Sequence, residues 1–218
     1  MLDNRLLCVA SLIRPGSRAA DIGTDHAYLP VYVVQKGICP HVIASDIRPG
    51  PAAVARGHVE QAGLADRIEV RLGDGLAGIR PDEADDILIA GMGGETIAAI
   101  LQAAPWVKNN RYHLVLQPMT RPEKLREYLL TNGFSLTRER VTRVGRHLYT
   151  IIAAGYTGAA PVTDEAAYYR GALPADGLEF LQKEIDRLRQ QERGCRLTGQ
   201  TAQATHWHQL IDRLEASL

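Results

Sequence analysis

The stretch AADIGTDHAYLP, residues 19–30, decides the fold assignment of this chain. It reads as a strand of small and apolar residues that ends at Asp21 and Gly23 and continues into a helix. A dinucleotide-binding turn would supply two more glycines here, but the next three positions carry polar side chains, Thr24, Asp25 and His26. A pyrophosphate needs unhindered backbone amides at a helix start, where a carboxylate would repel it. The ligand of this loop is therefore not expected to be a diphosphate.

On both sides of this stretch, apolar runs alternate with helical patterns as far as residue 155. Strands are predicted over 18–22, 41–46, 68–72, 86–90 and 113–117. Helices are predicted between them over 26–36, 50–62, 93–104 and 121–132. Short, continuous apolar strands separated by helices indicate a parallel sheet that is covered on both faces, with right-handed crossovers.

The pattern changes after Asn132 and Gly133. Residues 134–144 and 147–156 read as two β runs with Gly145 at the turn and no helix between them, which predicts an antiparallel hairpin. Five parallel strands followed by an antiparallel pair are typical of class I S-adenosylmethionine-dependent methyltransferases, whereas a dinucleotide dehydrogenase would normally keep alternating. We therefore expect an α/β fold of the Rossmann-like methyltransferase type, with a mostly parallel sheet.

A composition shift at 157–161 predicts a linker, so the chain divides into a domain over 1–156 and a helical domain over 157–218. Apolar residues recur at three- and four-residue spacing in two segments of the second domain, around Leu181 and around Leu214. Gly194 and Gly199 lie between these segments and indicate an antiparallel, coiled-coil-like helical hairpin. This appendage is expected to pack on the sheet domain or on a second subunit, and the oligomeric state stays open.

The composition gives no sign of a metal or a membrane partner. Lysine plus arginine equal aspartate plus glutamate at 25 each, so no global basic field indicates nucleic acid. The cysteines, Cys8, Cys39 and Cys195, form no CxxC pair, which argues against a zinc site and favours a reducing compartment. Residues 1–16 read as an amphipathic helix rather than a signal peptide, and no long apolar run follows. A cytoplasmic protein is the expectation.

Polar or glycine-rich residues follow every predicted parallel strand. Ligands of open parallel sheets bind outside the carboxyl ends of the strands, so these residues are the candidates for a site. Asp46, after the second strand, is placed to accept both hydroxyls of a ribose. Asp74, after the third, suits an adenine amine because Gly73 and Gly75 let the backbone approach.

Asp21 and Asp25 add two carboxylates beside this expected nucleoside. A sulfonium nucleoside carries a positive centre and an amino acid tail with an ammonium group, which such carboxylates can hold directly or through water. The alternative is structural, with Asp25 capping a helix and Asp74 capping a turn. Acids at three consecutive strand ends favour the ligand. The sequence thus predicts a loop shaped for a nucleoside that carries positive charge.

The fourth strand end, Gly91-Met92-Gly93-Gly94, offers no acid or amide side chain. Its glycines permit a substrate base to lie against bare backbone, and Met92 can pack on a ring face. A tight turn from strand to helix is the equally weighted alternative.

Four motifs, DIGTDHAYLP, ASDIRPGPAAVARGHVEQAGL, RLGDGL and AGMGGETIAAIL, carry a resemblance to the bacterial tRNA adenine-22 N1-methyltransferases over residues 3–156. That family also has a C-terminal coiled-coil-like appendage. The resemblance implies S-adenosylmethionine as cofactor and tRNA as substrate. It implies cofactor binding by the residues at the strand ends, Asp21, Gly23, Thr24, Asp25, His26, Asp46, Gly73, Asp74, Gly75, Gly91, Met92 and Gly93.

Methyl transfer to adenine N1 requires alignment of N1 with the methyl group more than it requires a strong base, because N1 already bears a lone pair in the ring plane. Asp25 and His26 are the candidates to relay the proton that the product later loses from its amine, although His26 also reads as a hydrogen-bonded histidine in the first turn of a helix. N1 is buried in a Watson–Crick pair, so the target base must be unpaired or flipped out. Candidate substrate contacts are the stacking side chains Tyr28, Met92 and Met119, which also read as core, and the arginines Arg121, Arg138, Arg140, Arg143 and Arg146, which also read as an exposed strand face.

Other functions remain open at this stage. A methyltransferase of the same fold that acts on a small molecule or a protein would not depend on Arg140 and Arg143. A noncatalytic RNA-binding protein would have no need for the acids at the strand ends.

In the appendage, His206-Trp207-His208 lacks a third ligand at helical spacing and is read as surface rather than metal site.

Overall fold

The computed structural model describes residues 2–174 and 177–218. Within them, seven strands form one sheet in the order β3-β2-β1-β4-β5-β7-β6. The strands are β1 (Ala19–Ile22), β2 (Val42–Asp46), β3 (Ile68–Leu72), β4 (Asp86–Gly93), β5 (His113–Thr120), β6 (Phe134–Val144) and β7 (His147–Tyr156). The strand order reverses between β1 and β4, and this is the point where ligands of such sheets bind.

The pairing confirms the predicted mixed sheet. Strands β1 to β5 are parallel to one another, and β7 runs antiparallel between β5 and β6. Gly145 turns the β6–β7 hairpin with a φ of 58°, a left-handed conformation that glycine adopts without strain. Since β6 is antiparallel to β7, it points in the same direction as β1 to β5.

Helices cover both faces of the sheet, as the continuous apolar strands require. The first face carries α1 (Asn4–Ala10), α2 (Tyr28–Gln35) and α3 (Pro49–Gln61), and the second carries α4 (Gly94–Gln102), α5 (Pro122–Thr131) and a short 3-10 helix over Pro105–Val107. Leu88 of β4 packs in the first core, whereas its neighbours Ile87 and Ile89 pack in the second. Side chains therefore alternate between two cores.

Several of the sequence-based boundaries were wrong by two or three residues. Strands β4 and β5 each run three residues further than predicted, and irregular register steps between Ala90, Met92 and Gly93 keep them paired. Helix α2 begins at Tyr28 rather than at residue 26, because Ala27 has a φ of 56° and cannot be part of the helix.

The C-terminal segment is helical as predicted, with one helix more than expected. It contains α6 (Glu165–Arg170), which was not predicted, α7 (Leu178–Leu197) and α8 (Thr201–Glu215). Their apolar side chains form a core of their own, which we call the tail core; it includes Ile185, Leu188 and Leu214. The predicted break at Gly194 was wrong, since α7 continues through it and Thr198 closes the helix end on the Gly194 carbonyl oxygen. The turn lies at Gly199, where φ is 75°.

A buried ion pair joins the sheet to this helical segment. The Arg126 guanidinium of α5 donates to the Glu139 carboxylate of β6 at 2.5 Å and to the main-chain oxygens of Tyr168 and Tyr169. Arg126 and Glu139 are fully buried, and the amide of Ala172 donates to the second Glu139 oxygen. Glu139 lies between Arg138 and Arg140 in the sequence, but it is buried and does not share the exposed strand face of these arginines. The division of the chain after residue 156 remains a prediction.

Candidate functional site

A cavity of about 590 Å³ lies at the carboxyl ends of β1 to β4, where the strand order reverses. We call it the strand-end pocket. Helices α1 and α2 close its sides. It is lined by Arg5, Leu6, Asp21, Ile22, Gly23, Thr24, Asp25, His26, Tyr28, Leu29, Asp46, Ile47, Arg48, Gly73, Asp74, Gly75, Ala90, Gly91, Met92, Thr96, Ile100 and Met119. All but one of the predicted cofactor residues are therefore brought together around one cavity.

Asp46 ends β2 at the floor of the pocket and is only 3% exposed. Its Oδ2 accepts the backbone N–H of Asp25 at 3.2 Å, and its Oδ1 accepts that of Arg48 at 2.9 Å. The Arg48 Nε lies 3.5 Å from the same Oδ1. Each carboxylate oxygen has two lone pairs, so these contacts fix the carboxylate and leave acceptor capacity on it. A rigid, buried carboxylate with free lone pairs is what bidentate binding of two hydroxyls requires.

The loop after β1 takes an unusual path that points its side chains at the pocket. Asp25 has a φ of 54°, a conformation that is uncommon for a residue with a side chain. Its carboxylate lies 3.5 Å from His26 Nε2 and 3.6 Å from the Arg48 guanidinium. No side chain caps α2, so the alternative interpretation of Asp25 as a helix cap was wrong.

Three polar atoms around the pocket are buried and have no hydrogen-bond partner in the part of the chain that the structure describes: Thr24 Oγ1, His26 Nδ1 and Ser45 Oγ. Buried polar groups are nearly always satisfied in native proteins, so such orphans need an explanation. Thr24 and His26 line the cavity, which places unpaired polar atoms next to the space for a ligand. A polar, hydrogen-bonding ligand fits this pocket better than an apolar one.

Glycines keep the pocket open at the ends of β1 and β4. A Cβ at Gly23 would lie 2.1 Å from the Met92 Cε, in the loop where φ is 75°. The Gly91 N–H donates to the Gln117 Oε1 at 3.0 Å, which holds the end of β4 in place. By contrast, a Cβ at Gly94 would lie 2.2 Å from the Arg121 carbonyl oxygen, so Gly94 serves the close approach of two chain segments.

Asp21 is the carboxylate whose ionisation the fold disfavours. Burial raises its pKa to about 6, with a smaller contribution in the same direction from the Asp46 carboxylate. Because the folded pKa lies above the ordinary value of 3.8, the folded chain loses stability as the pH rises from about 4 to about 6, and the full cost of ionised Asp21 is present above that. A cation placed next to Asp21 would remove this cost.

A positively charged ligand should therefore bind more tightly as the pH rises through 6. We expect the affinity for S-adenosylmethionine, the donor expected from the sequence, to increase about tenfold between pH 5 and pH 7, with release of a proton on binding below pH 6. Isothermal titration calorimetry over this pH range measures it. The Asp21→Asn variant, which cannot titrate, should show a flat profile, and a steep profile in this variant would contradict the role of Asp21.

The candidate substrate residues are divided between two places. Tyr28, Met92 and Met119 line the strand-end pocket, and Met119 also lines a second cavity of about 260 Å³ beside the start of β7 and α7. Arg121 lies in that second cavity and pairs with Glu123 at 2.7 Å. Gly93, the remaining predicted cofactor residue, lies outside the strand-end pocket and packs against Thr120.

The other predicted substrate arginines are exposed on the β6–β7 hairpin, outside both cavities. Arg143 pairs with Glu179 of α7 at 2.6 Å. No carboxylate of residues 2–174 or 177–218 forms an ion pair with Arg138, Arg140 or Arg146. These three guanidinium groups are the ones available to an anionic partner.

Several lining residues were missed by sequence reasoning, chiefly Arg5 of α1 and Arg48 at the start of α3. Arg48 follows Asp46 by two positions, so the strand-end rule could have found it. Arg5 lies far from every strand end in the sequence, and only the packing of α1 brings it to the pocket.

The surface interpretation holds for His206 and His208, which are exposed, but it was wrong for Trp207, which is half-buried. His206 pairs with Glu165, and His208 lies 3.5 Å from Glu192. Trp207 packs against the tail core. No group of three potential metal-ligating side chains occurs in the described ranges, and none of the helices described there is long and apolar enough to cross a membrane.

The fold and the strand-end pocket together define a class I S-adenosylmethionine-dependent methyltransferase. A family model described as a methyltransferase domain matches residues 2–152. The chain is 39% identical to the tRNA (adenine(22)-N(1))-methyltransferase of Bacillus subtilis over 186 residues, which cover 84% of this chain and 76% of that protein. It belongs to the tRNA (adenine(22)-N(1))-methyltransferase family.

Solved structures agree with this assignment over nearly the whole chain. The crystal structure of the B. subtilis M1A22 tRNA methyltransferase TrmK is 33% identical with a TM-score of 0.76, covering 99% of this chain and 96% of that one. M. capricolum TrmK in complex with S-adenosyl-homocysteine is 25% identical with a TM-score of 0.81, covering 99% and 98%. The appendage is thus included in the structural similarity.

Proposed function

We propose that this protein transfers the methyl group of S-adenosylmethionine to N1 of adenine 22 in tRNA. The observation that carries the proposal is the set of acids held at the ends of β1 and β2 in a pocket with unpaired polar atoms. The identity to a named tRNA (adenine(22)-N(1))-methyltransferase supports both the reaction and the substrate.

The residues that line the pocket support the proposal, because they offer groups that suit the nucleoside and the cationic part of the donor. Asp46 would hold the ribose hydroxyls, and Asp74, exposed at the rim, would face the adenine amine. Asp21 and Asp25 supply negative charge for the sulfonium and the ammonium group. When bound, S-adenosylmethionine supplies an electrophilic methyl group. Thr24 and His26 offer their unpaired polar atoms to the same ligand.

The chain's own residues then have to position the adenine and manage its charge. Tyr28, Met92 and Met119 line the pocket and have side chains that can stack on a flipped-out base. Methylation at N1 makes the ring positive, and a nearby carboxylate stabilises that charge. Asp25 and His26, whose side chains lie 3.5 Å apart, are our candidates to take up the proton that the product amine loses. Catalysis is largely a matter of alignment.

A tRNA substrate also needs cationic contacts outside the pocket, because phosphate neutralisation supplies much of the affinity. Arg138, Arg140 and Arg146 provide exposed guanidinium groups without ion-pair partners in the described residues.

The three thiols are free, which fits a reducing compartment, so we place the reaction in the cytoplasm.

The direct experiment incubates the protein with methyl-labelled S-adenosylmethionine and unmodified tRNA, and locates the label by nuclease digestion. Label at N1 of adenine 22 is the expected result. A tRNA whose adenine 22 is replaced by guanine is the matched control and should stay unlabelled. Label in a small molecule or a protein of a lysate, with none in tRNA, would contradict the proposal.

A double variant distinguishes a tRNA substrate from a small-molecule substrate that binds in a closed pocket. The Arg138→Ala/Arg140→Ala double variant should raise the KM for tRNA. It should also reduce the slope of log KM against log salt concentration by about 1.4–1.8, since two phosphate contacts are lost. Its donor affinity should not change. The control is Arg80→Ala, an exposed arginine near the opposite ends of the strands. Equal KM values for both variants would favour a substrate other than RNA.

A further inference from the structure

The second cavity, of about 260 Å³, lies at the same edge of the sheet as the strand-end pocket, because β5 ends there and the antiparallel β7 begins there. Met119 lines both cavities, so the two are neighbours. The walls of the second cavity come from the turn between β5 and α5, from the start of β7 and from α7. The second cavity therefore lies between the sheet and the helical segment, beside the expected place of the target adenine.

One wall of the second cavity holds a buried carboxylate that is only partly satisfied. Glu123 is 5% exposed, and its Oε1 accepts the Arg121 Nε at 2.7 Å. Its Oε2 is buried and has no hydrogen-bond partner among residues 2–174 and 177–218. The Arg187 guanidinium lies 3.9 Å from this oxygen, which is too far for a hydrogen bond. Because buried polar atoms are nearly always paired in native proteins, a donor supplied by a ligand would account for Oε2.

The other lining groups favour a flat, uncharged ligand. The charged side chains of the second cavity are two arginines and two acids, Arg121, Arg187, Glu123 and Glu184. Because these charges cancel, the lining does not favour a free anion or cation. Tyr149 of β7 and Phe180 of α7 add two aromatic rings, and such rings stack on flat ligands. A planar ring with polar edges fits this lining better than an ion does.

Among the bases of RNA, guanine matches these groups best. Its Watson–Crick edge carries two neighbouring donors, N1–H and the N2 amine, whereas adenine, cytosine and uracil each have an acceptor beside the donor. Both oxygens of Glu123 can accept, since Oε2 is unpaired and Oε1 has a second lone pair besides the one that Arg121 uses. Two parallel, charge-assisted hydrogen bonds are the strong and geometrically specific kind.

We propose that the second cavity binds a guanine of the tRNA while the target adenine occupies the strand-end pocket, and that Glu123 accepts the guanine N1–H and N2 amine. This inference rests on the proposed function, because it takes an RNA as the substrate. The guanine must have a free Watson–Crick edge, so it lies outside the paired stems. Glu123 is then a specificity-determining residue that does not touch the methyl donor.

NMR titration of mononucleotides into the full chain tests this, with the donor site filled by S-adenosylhomocysteine. The probes are GMP, AMP and IMP, which lacks only the N2 amine of GMP and is the matched control. The wild type should bind GMP about tenfold more tightly than IMP or AMP, the effect of one charge-assisted hydrogen bond. In Glu123→Gln, the affinity for GMP should come within about threefold of that for IMP. Glu127→Gln, which alters a partly exposed acid of the same helix outside the second cavity, should keep the preference.

Methylation of tRNA gives a second readout. Glu123→Gln should raise the KM for tRNA about tenfold and leave kcat unchanged, because the guanine contact is made equally in the ground state and the transition state. Its affinity for S-adenosylhomocysteine should equal that of the wild type, which also shows that the variant is folded.

Two results would overturn the inference alone. One is a wild-type protein that binds GMP no more tightly than IMP, absence of binding by both included. The other is a preference for GMP that persists in Glu123→Gln, which would mean that Glu123 only shapes the second cavity. Failure of the wild type to transfer methyl label to tRNA would instead overturn the proposed function, and the role of the guanine with it.

Discussion

Replacing Glu139 by alanine is expected to lower the free energy of unfolding by about 3–5 kcal/mol. The variant would leave the Arg126 guanidinium buried without a counter-charge, and it would remove acceptors from Thr150 and from the Ala172 amide. Urea denaturation at pH 7 measures the change. The matched control is Glu127→Ala, which breaks an exposed pair with Lys124 and should cost less than about 1 kcal/mol.

A double variant tests whether the cost comes from the orphaned charge. Arg126→Met/Glu139→Leu removes both charges and should be more stable than Glu139→Ala alone, because buried ion pairs gain little over apolar residues of similar volume. An unchanged free energy of unfolding in Glu139→Ala would contradict a stabilising role for the ion pair between the sheet and the helical segment.

Replacing Asp46 by alanine is expected to weaken donor binding by about 10- to 100-fold. The change removes a charge-assisted bidentate acceptor, a loss of about 1.5–3 kcal/mol, and it frees the two backbone amides that hold the loop. Titration with S-adenosylhomocysteine measures the affinity. Asp66→Ala, an exposed acid at the opposite ends of the strands, is the control and should bind normally. A wild-type affinity in Asp46→Ala would remove this carboxylate from the site.

The sheet and most of the pocket could be predicted because their signals are local. Each strand is a short apolar run, and the residue after its last apolar position lies at the ligand-binding edge whatever the rest of the chain does. Asp21, Asp46 and Asp74 were found in this way. The hairpin followed from two β runs around Gly145, without a helix between them.

The remaining features depend on contacts between distant segments, which no local pattern contains. Arg5 reaches the pocket because α1 packs on the first face of the sheet. Its partner there, Gln117 of β5, lies 112 positions further along the chain. Glu139 has an arginine on each side in sequence, yet it is buried because Arg126 lies opposite it. The positive φ of Ala27 makes α2 begin at Tyr28, although the helical pattern of the sequence begins at residue 26.

The crystal structure of the protein with bound S-adenosylhomocysteine is the most direct measurement of the central claim. We expect both ribose hydroxyls within hydrogen-bond distance of Asp46, and the sulfur on the Asp21 side of the pocket. A ligand bound elsewhere, with Asp21 and Asp46 contacting only their own loop, would contradict the account.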